Sequence, residues 1–350
     1  MAQRRKNGNV TLKDIAAETG FSANTVSRAL ADKPDISEET KEVIRRKAEE
    51  MGYIANALAS FLRSGVSRNI SIIVGDISNP HFSVMVKEMQ MLLQKKGYNS
   101  IIFNTEENLE MERQAITVSI SQNVDGIILC PAPGGEANIG LLRHYGKPFV
   151  LIGRRLEAEA GSKTSYVVCD DENSGYTAMR CLLEQGHRRV LFFNGPKEIS
   201  SARERLTGYR RALREAGIAY DGSLVHTVPV TAGKGTQRMR RILSGRQDYT
   251  AVLAFSDLLA WQAVCILEEL GKSVPRDCSV IGFDNIHFAY PHHLTSISSS
   301  KTTMARRCVQ ILLKQLGGRK GEEERVVLET ELVKGDTVRG IFESDAESLG

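Results

Sequence analysis

Apolar and polar positions follow two rhythms along this chain, and the change falls near residue 69. Before it, the spacing is that of short helices. In TLKDIAAETGFSANTVSRAL, which runs from Thr11 to Leu30, the residues Leu12, Ile15 and Ala16 share one helical face. Thr11 caps that helix, with Asp14 as the acidic member of a capping-box pair, and Gly20 stops it in a tight turn. Ser22 caps a second helix to about Leu30, with Val26, Ala29 and Leu30 facing inward. Ser37 caps a third, in which Val43, Ile44, Ala48 and Met51 recur at helical spacing until Gly52. Three short helices with a tight turn between the first two predict a helix-turn-helix unit. Next comes YIANALASFLRSGVSRN, a weakly helical stretch too short to be stable alone, running into a linker.

From Asn69 apolar strand-like runs alternate with amphipathic helices. ISIIVGD is followed by HFSVMVKEMQMLLQKKG, where Phe82, Met85, Val86, Met89, Leu92 and Leu93 form one stripe. SIIFN, VDGIILCP and FVLIG continue the series with helices between them. The rhythm restarts at RVLFFNGP and runs through LVHTVPV, AVLAFSD and SVIGFDN. Uninterrupted apolar strands alternating with helices predict mostly parallel sheets covered on both faces. Two such series predict two lobes of similar build, each a doubly wound sheet that binds ligands at its strand C-termini. A cleft between facing strand ends is then the natural pocket.

Chemistry enters at those ends. Asn79-Pro80 forces a turn before a helix, so Asp76, Asn79 and Phe82 stand at a strand end and helix start; Phe82 serves either the ligand or the core. Asp284 ends SVIGFD and Asp257 ends AVLAFSD; a carboxylate there can accept ligand hydroxyls, or, for Asp257, cap the following helix. Trp261 reads as core rather than as a stacking platform. In the second helix, Asn24 can pair with adenine and Arg28 with guanine; a protein-binding helical bundle is the alternative.

Composition narrows the classes. Of a net charge of +4, most sits in the first 68 residues, which hold about 12 Lys/Arg against about 9 Asp/Glu, a modest footprint for phosphate contacts. No apolar run is long enough to span a membrane, and MAQRRKNGNV has no apolar stretch after its basic start, so a cytoplasmic protein without membrane association is expected. The six cysteines form no CxxC pair and read as free thiols, mostly buried. No GxSxG, Walker A or HExxH motif occurs, GGEANIG lacks the dinucleotide spacing, and His292-His293 reads as a surface loop. No enzyme activity, cofactor or metal is expected.

The stretch TLKDIAAETGFSANTVSRAL, with ISEETKEVIRRKAEEMGYIAN after it, resembles the lactose-repressor (LacI/GalR) family of bacterial transcription regulators, and the resemblance extends over essentially the whole chain. It implies an all-α helix-turn-helix DNA-binding domain followed by an α/β two-lobed periplasmic-binding-protein-like domain with two doubly wound parallel sheets. The implied division is 1–56 for the DNA-binding domain and 57–68 for a hinge helix and linker. The N-terminal lobe takes 69–168 plus 298–328, the C-terminal lobe 169–297 plus 329–342, and 343–350 is a tail. Chain crossings between lobes are expected near Val168, Ile297 and Leu328.

The resemblance also implies roles. Ala23, Asn24 and Arg28 would read bases; Thr25 and Ser27 would contact the backbone or serve structure; Thr11 and Ser22 complete the DNA-facing set. In the hinge, Leu62 would wedge into the central base step, Ala59 would permit close approach, and Asn56 would contact the backbone or minor groove; the alternative is a plain linker helix. Ala55 stands where the family usually has proline. In the cleft, Arg203 matches the pocket arginine, with a solvated helix arginine as the alternative and Arg205 as structural. Arg154 follows Gly153, where the family often has aspartate, and this extra positive charge points to an acidic or phosphorylated sugar. The expected partners are double-stranded operator DNA, a sugar, sugar acid or sugar phosphate, and a second copy of the chain. The short tail after VVLETELVKGD favours a dimer over a tetramer. Ligand would change the lobe angle, order or melt the hinge helices, and so alter DNA affinity.

Overall fold

Helix α1 (Leu12–Thr19), α2 (Ala23–Leu30) and α3 (Glu38–Glu50) form the first of two units, which divide between Ser67 and Arg68. The structure is a computed structural model and describes residues 10–54, 61, 64–156, 164–231, 233–286, 293–318 and 323–341. The Thr11 backbone N–H donates to Asp14 Oδ2 at 2.8 Å while Asp14 N–H returns to Thr11 Oγ1 at 3.4 Å, a reciprocal cap on α1. Gly20 ends α1 with φ +75°, and Ser22 and Ser37 Oγ accept from the Thr25 and Thr40 N–H groups. Ile15, Val26, Ala29, Ile44 and Ala48 are the buried centre, with Leu12, Ala16, Leu30 and Met51 packed around it. Val43, expected on the inner face, is exposed, since it sits one helical step (about 100°) from Ile44. Asn56, Ala59 and Leu62, and with them the hinge reading, lie outside the described residues.

The second unit carries two six-stranded sheets. The first contains β1 (Asn69–Val74), β2 (Asn99–Asn104), β3 (Gly126–Leu129), β4 (Phe149–Ile152), β5 (Ser165–Cys169) and β11 (Arg325–Leu328), in the order β11-β5-β4-β3-β1-β2, all parallel. Among its helices, α4 (Pro80–Gln94) and α11 (Lys301–Leu316) bring Met85, Met89, Met304, Cys308 and Leu312 onto one face. Helices α5 (Leu109–Ser121) and α6 (Glu136–His144) bring Ile116, Ile139 and Leu142 onto the other.

The second sheet contains β6 (Val190–Asn194), β7 (Val225–Thr227), β8 (Ala251–Ala254), β9 (Ser279–Phe283), β10 (Thr295–Ser298) and β12 (Glu331–Val333), in the order β12-β10-β9-β8-β6-β7. Helices α7 (Asp171–Glu184) and α8 (Ser200–Glu215) cover one face, and α9 (Thr236–Gly245) and α10 (Asp257–Glu269) the other. Helices α7 and α8 touch through Gly175 and Gly208; a Cβ on either would strike the opposite backbone. This close approach holds Arg205 of α8 against Asp171 at the start of α7.

The chain passes between the sheets at Asp170, at 299–300 and at 329–330, so Cys169 belongs to the first sheet and Ser298 to the second. These points lie up to three residues beyond the expected positions, because ladder pairing outlasts the apolar runs. Each passage leaves from a strand C-terminus. Strand β12 therefore starts at the cleft side and runs away from it, which makes it the antiparallel member of an otherwise parallel sheet.

Candidate functional site

In the first unit, Asn24 and Arg28 lie four residues apart on one exposed face of α2, with Val26 and Ala29 on the opposite side in the core. Ala23, Thr25 and Ser27 are half-buried beside them; Thr11 and Ser22 are exposed caps. The Arg28 fork meets Asp35 at two points, Nε to Oδ2 at 2.8 Å and Nη2 to Oδ1 at 2.6 Å. Lys41 is buried and neutralised by Glu38 and Asp32 at 2.6 and 3.1 Å.

In the second unit, strand C-termini of both sheets face one cavity of about 480 Å³, open to solvent. The first lobe contributes Asn79 and Phe82 from the start of α4, Glu107, Cys130 and Arg154; the second contributes Ser201, Arg205, Phe255, Ser256 and Asp284. A smaller adjoining space shares His81, Gly153, Arg205 and Asp284 with it. Asn79 caps α4 through Oδ1, which accepts from His81 N–H at 3.0 Å. Phe82 lines the cavity and packs in the core.

Arg154 is buried, and its guanidinium donates to Glu107 Oε2 and Oε1 at 2.5 and 2.9 Å and to the Pro131 carbonyl at 3.0 Å. Burial disfavours its charge, but Glu107 more than offsets this and its pKa is raised. Asp284 stands just past β9 with φ +104°, a strained conformation of the kind that collects at binding sites. Burial alone would push its carboxyl up. Facing His81, Arg205 and Lys301, it is instead held below the ordinary carboxylate range. His81 Nδ1 lies 3.1 Å from Asp284 Oδ1, close but poorly aligned for a hydrogen bond.

Three expected contacts are placed elsewhere. Arg203 is absent from the cavity lining; its guanidinium donates to the Lys197 carbonyl at 2.7 Å. Arg205 occupies the cavity instead. It donates to Asp171 Oδ1 at 2.8 Å and to the Phe255 carbonyl, and its guanidinium carbon lies 4.2 and 4.7 Å from the Phe283 and Phe255 ring centres. Asp257 is wholly buried and accepts from Ile286 N–H at 2.7 Å and Ser296 O–H at 2.6 Å, bracing the segment after Asp284; Ser256 is the helix cap. Burial pushes Asp257 up, and Asp284 adds to the shift. Asp76 accepts from the N–H and O–H of Ser78 at 2.9 and 2.6 Å, shaping the turn into Asn79. His81, Glu107 and Asp171 escaped the pattern reading, because no apolar period marks a polar residue on a loop or helix start.

Trp261 packs against the second-lobe core. All six cysteines are free; four are buried, Cys265 is exposed, and burial pushes the Cys130 thiol up to about 12. His292 lies outside the described residues, His293 is exposed, and no metal-binding group occurs among the described residues. No described helix is long and apolar enough to cross a membrane.

A helix-turn-helix unit on one chain with a two-lobed cleft defines a DNA-binding regulator with a sensor domain. Residues 11–56 match the bacterial regulatory proteins of the lacI family, and residues 179–338 match the periplasmic binding protein-like domain. The chain is 31% identical over 340 residues to the HTH-type transcriptional regulator CelR of Thermobifida fusca, covering 95% of this chain and 98% of that one. It is 29% identical over 345 residues to the HTH-type transcriptional repressor CytR of Escherichia coli K12, covering 97% and 100%. A solved CelR–cellobiose complex superimposes with a TM-score of 0.71 at 28% identity, covering 94% of this chain and all of that one. The chain belongs to the lacI family of bacterial transcriptional regulators, and the relatives it matches are regulators rather than enzymes.

Proposed function

We propose that the chain represses transcription by binding a near-palindromic operator as a homodimer, and that a small ligand of sugar type in the inter-lobe cleft switches it. The carrying observation is that Arg205 and Asp284 of one lobe meet Asn79, Phe82 and Arg154 of the other around one cavity. Ala23, Asn24 and Arg28 are the base readers, with Thr25, Ser27 and the capped starts at Thr11 and Ser22 along the backbone. One such unit reads too few base pairs for a genome-scale search, which favours a dimer on two half-sites. The sugar class draws on the cellobiose-bound relative. No catalytic role is assigned to any residue.

Contacts across the cleft supply the switch. Arg155 meets Glu204 at 2.9 Å, Lys234 meets Glu106 at 3.5 Å, and His81 faces Asp284. A ligand that bonds to Arg205 and Asp284 competes with or tightens these pairs and shifts the lobe angle. Segment 57–68 relays that shift to the operator. By reciprocity, operator DNA changes ligand affinity by the same factor.

The test combines a thermal-shift screen of sugars with operator titration. A ligand held by the native state raises the melting temperature, and the same compound changes operator affinity. Arg205→Ala loses about tenfold or more in ligand affinity and keeps ligand-free operator binding, whereas Arg203→Ala responds like the unmodified protein. An unaltered response in Arg205→Ala places the ligand elsewhere.

A further inference from the structure

We infer that the cleft selects an uncharged, hydroxyl-bearing ligand and rejects carboxylates and phosphates. This rests on the reading of the cleft as the effector site and deepens it. Among the described residues, three permanent cations stand in or beside the cavity: Arg154, Arg205 and Lys301. Three carboxylates stand with them: Glu107, Asp171 and Asp284. The two arginines have their own partners. Glu107 takes the fork of Arg154 end-on, at 2.5 and 2.9 Å, with both side chains under a tenth exposed. Asp171 takes two nitrogens of Arg205 at 2.8 Å, and two aromatic rings cover that guanidinium. Lys301 is turned onto the Asp284 carbonyl, and His81 stands against the Asp284 carboxylate.

The permanent charges therefore cancel inside the protein. An incoming anion would find both arginines already on a carboxylate and Lys301 turned onto a backbone carbonyl, and would lie among three negative groups at low dielectric. A neutral hydroxyl meets no such obstacle. It can donate to Asp284 and accept from the arginine N–H groups that remain, since each guanidinium carries five donors. Ser201, Ser256 and Asn79 add uncharged polar contacts, and Phe82 and Phe255 offer apolar faces for C–H groups. The positive charge at Arg154, read from the sequence as a sign of an acidic sugar, is consumed by Glu107.

The experiment uses the full chain and probes that need no knowledge of the natural ligand. Melting and calorimetric titration are followed with inorganic phosphate and sulfate against chloride of equal ionic strength, and with neutral aldoses against their phosphates and aldonates. The unmodified protein should show no anion-specific shift. Glu107→Gln unmasks Arg154, and Asp171→Asn independently unmasks Arg205; each is expected to gain about tenfold or more in phosphate affinity. Glu204→Gln, at Arg155 rather than in the cavity, should gain nothing. A phosphate or aldonate response in the unmodified protein that Arg154→Ala or Arg205→Ala abolishes overturns the inference. So does the absence of any gain in both cooperatively melting unmasked variants. The switch itself is judged separately: a neutral sugar that binds the cleft but leaves operator affinity unchanged sinks the regulatory reading and leaves the ligand class standing.

Discussion

Arg203 and Arg205 are separated by about 200° around one helix, so only one of them can face the cleft. Both stand in the same short motif, and motif matching alone does not resolve the phase. The apolar stripe of α8 does: Ala202, Tyr209, Ala212 and Leu213 are buried, and Gly208 sits at the contact with α7, which turns Arg205 toward Asp171. Ser256 and Asp257 present the same difficulty. Either can cap a helix, and the cap fell to Ser256 because the Asp257 carboxylate is committed to Ile286 and Ser296. Asp284 and Arg154 were readable because each closely follows an apolar strand, and Asn79 because the Asn79-Pro80 turn starts a helix there; all three line the cavity.

His187 illustrates a polar residue with a purely structural task. Its ring lies within 3.0 Å of Thr250 Oγ1, Ser279 Oγ and the Arg339 carbonyl, tying the end of the described chain to the second lobe. Burial holds its pKa below the free value of 6.5, so the unfolded chain takes up a proton first as pH falls. Its contribution to stability is intact above that free value and declines as pH drops from it toward the folded pKa. Urea midpoints at about pH 7.5 and about pH 5.5 should differ, and His187→Gln should flatten the difference; His226, also lowered by burial, leaves a residual slope.

At the scale of elements, the apolar runs announced the buried parallel strands, and the serine and threonine caps announced the helix starts. The edge strands β2 and β7 were announced by SIIFN and LVHTVPV, but the direction of the last strand was not. Strand β12 is three residues long and half exposed, and its direction is set by where the chain enters the second sheet. The junction of α7 and α8 was equally silent, because a glycine in a helix advertises no partner. It gives a sharp expectation nonetheless. Gly208→Ala forces a methyl into the α7 backbone and should cost about 3 kcal/mol, read from chemical denaturation. Since α8 must move, ligand affinity should fall with it.

At the scale of the whole molecule, the proposed switch works through the contacts between lobes. Arg155 and Glu204 form a partly exposed pair, so its direct worth to stability is small, about 1 kcal/mol or less. Its place across the cleft gives it leverage over coupling instead. Arg155→Ala and Glu204→Gln should each change the ligand-induced shift in operator affinity, and the double variant should match the singles rather than their sum. Additive effects would show that the pair carries none of the coupling.

The threefold exchange of chain between lobes has a consequence for how the protein is made. Helix α11 and strand β11 complete the first lobe, yet both are encoded after the entire run from Asp171 to Ser298. Emerging from the ribosome, the first lobe waits with Ile70, Ile72, Met85 and Met89 uncovered until Met304, Cys308 and Leu312 arrive. The half that is translated earlier is the half that closes later, and a message truncated before Lys301 yields a polypeptide with a permanently open core, fit for capture by chaperones or proteases.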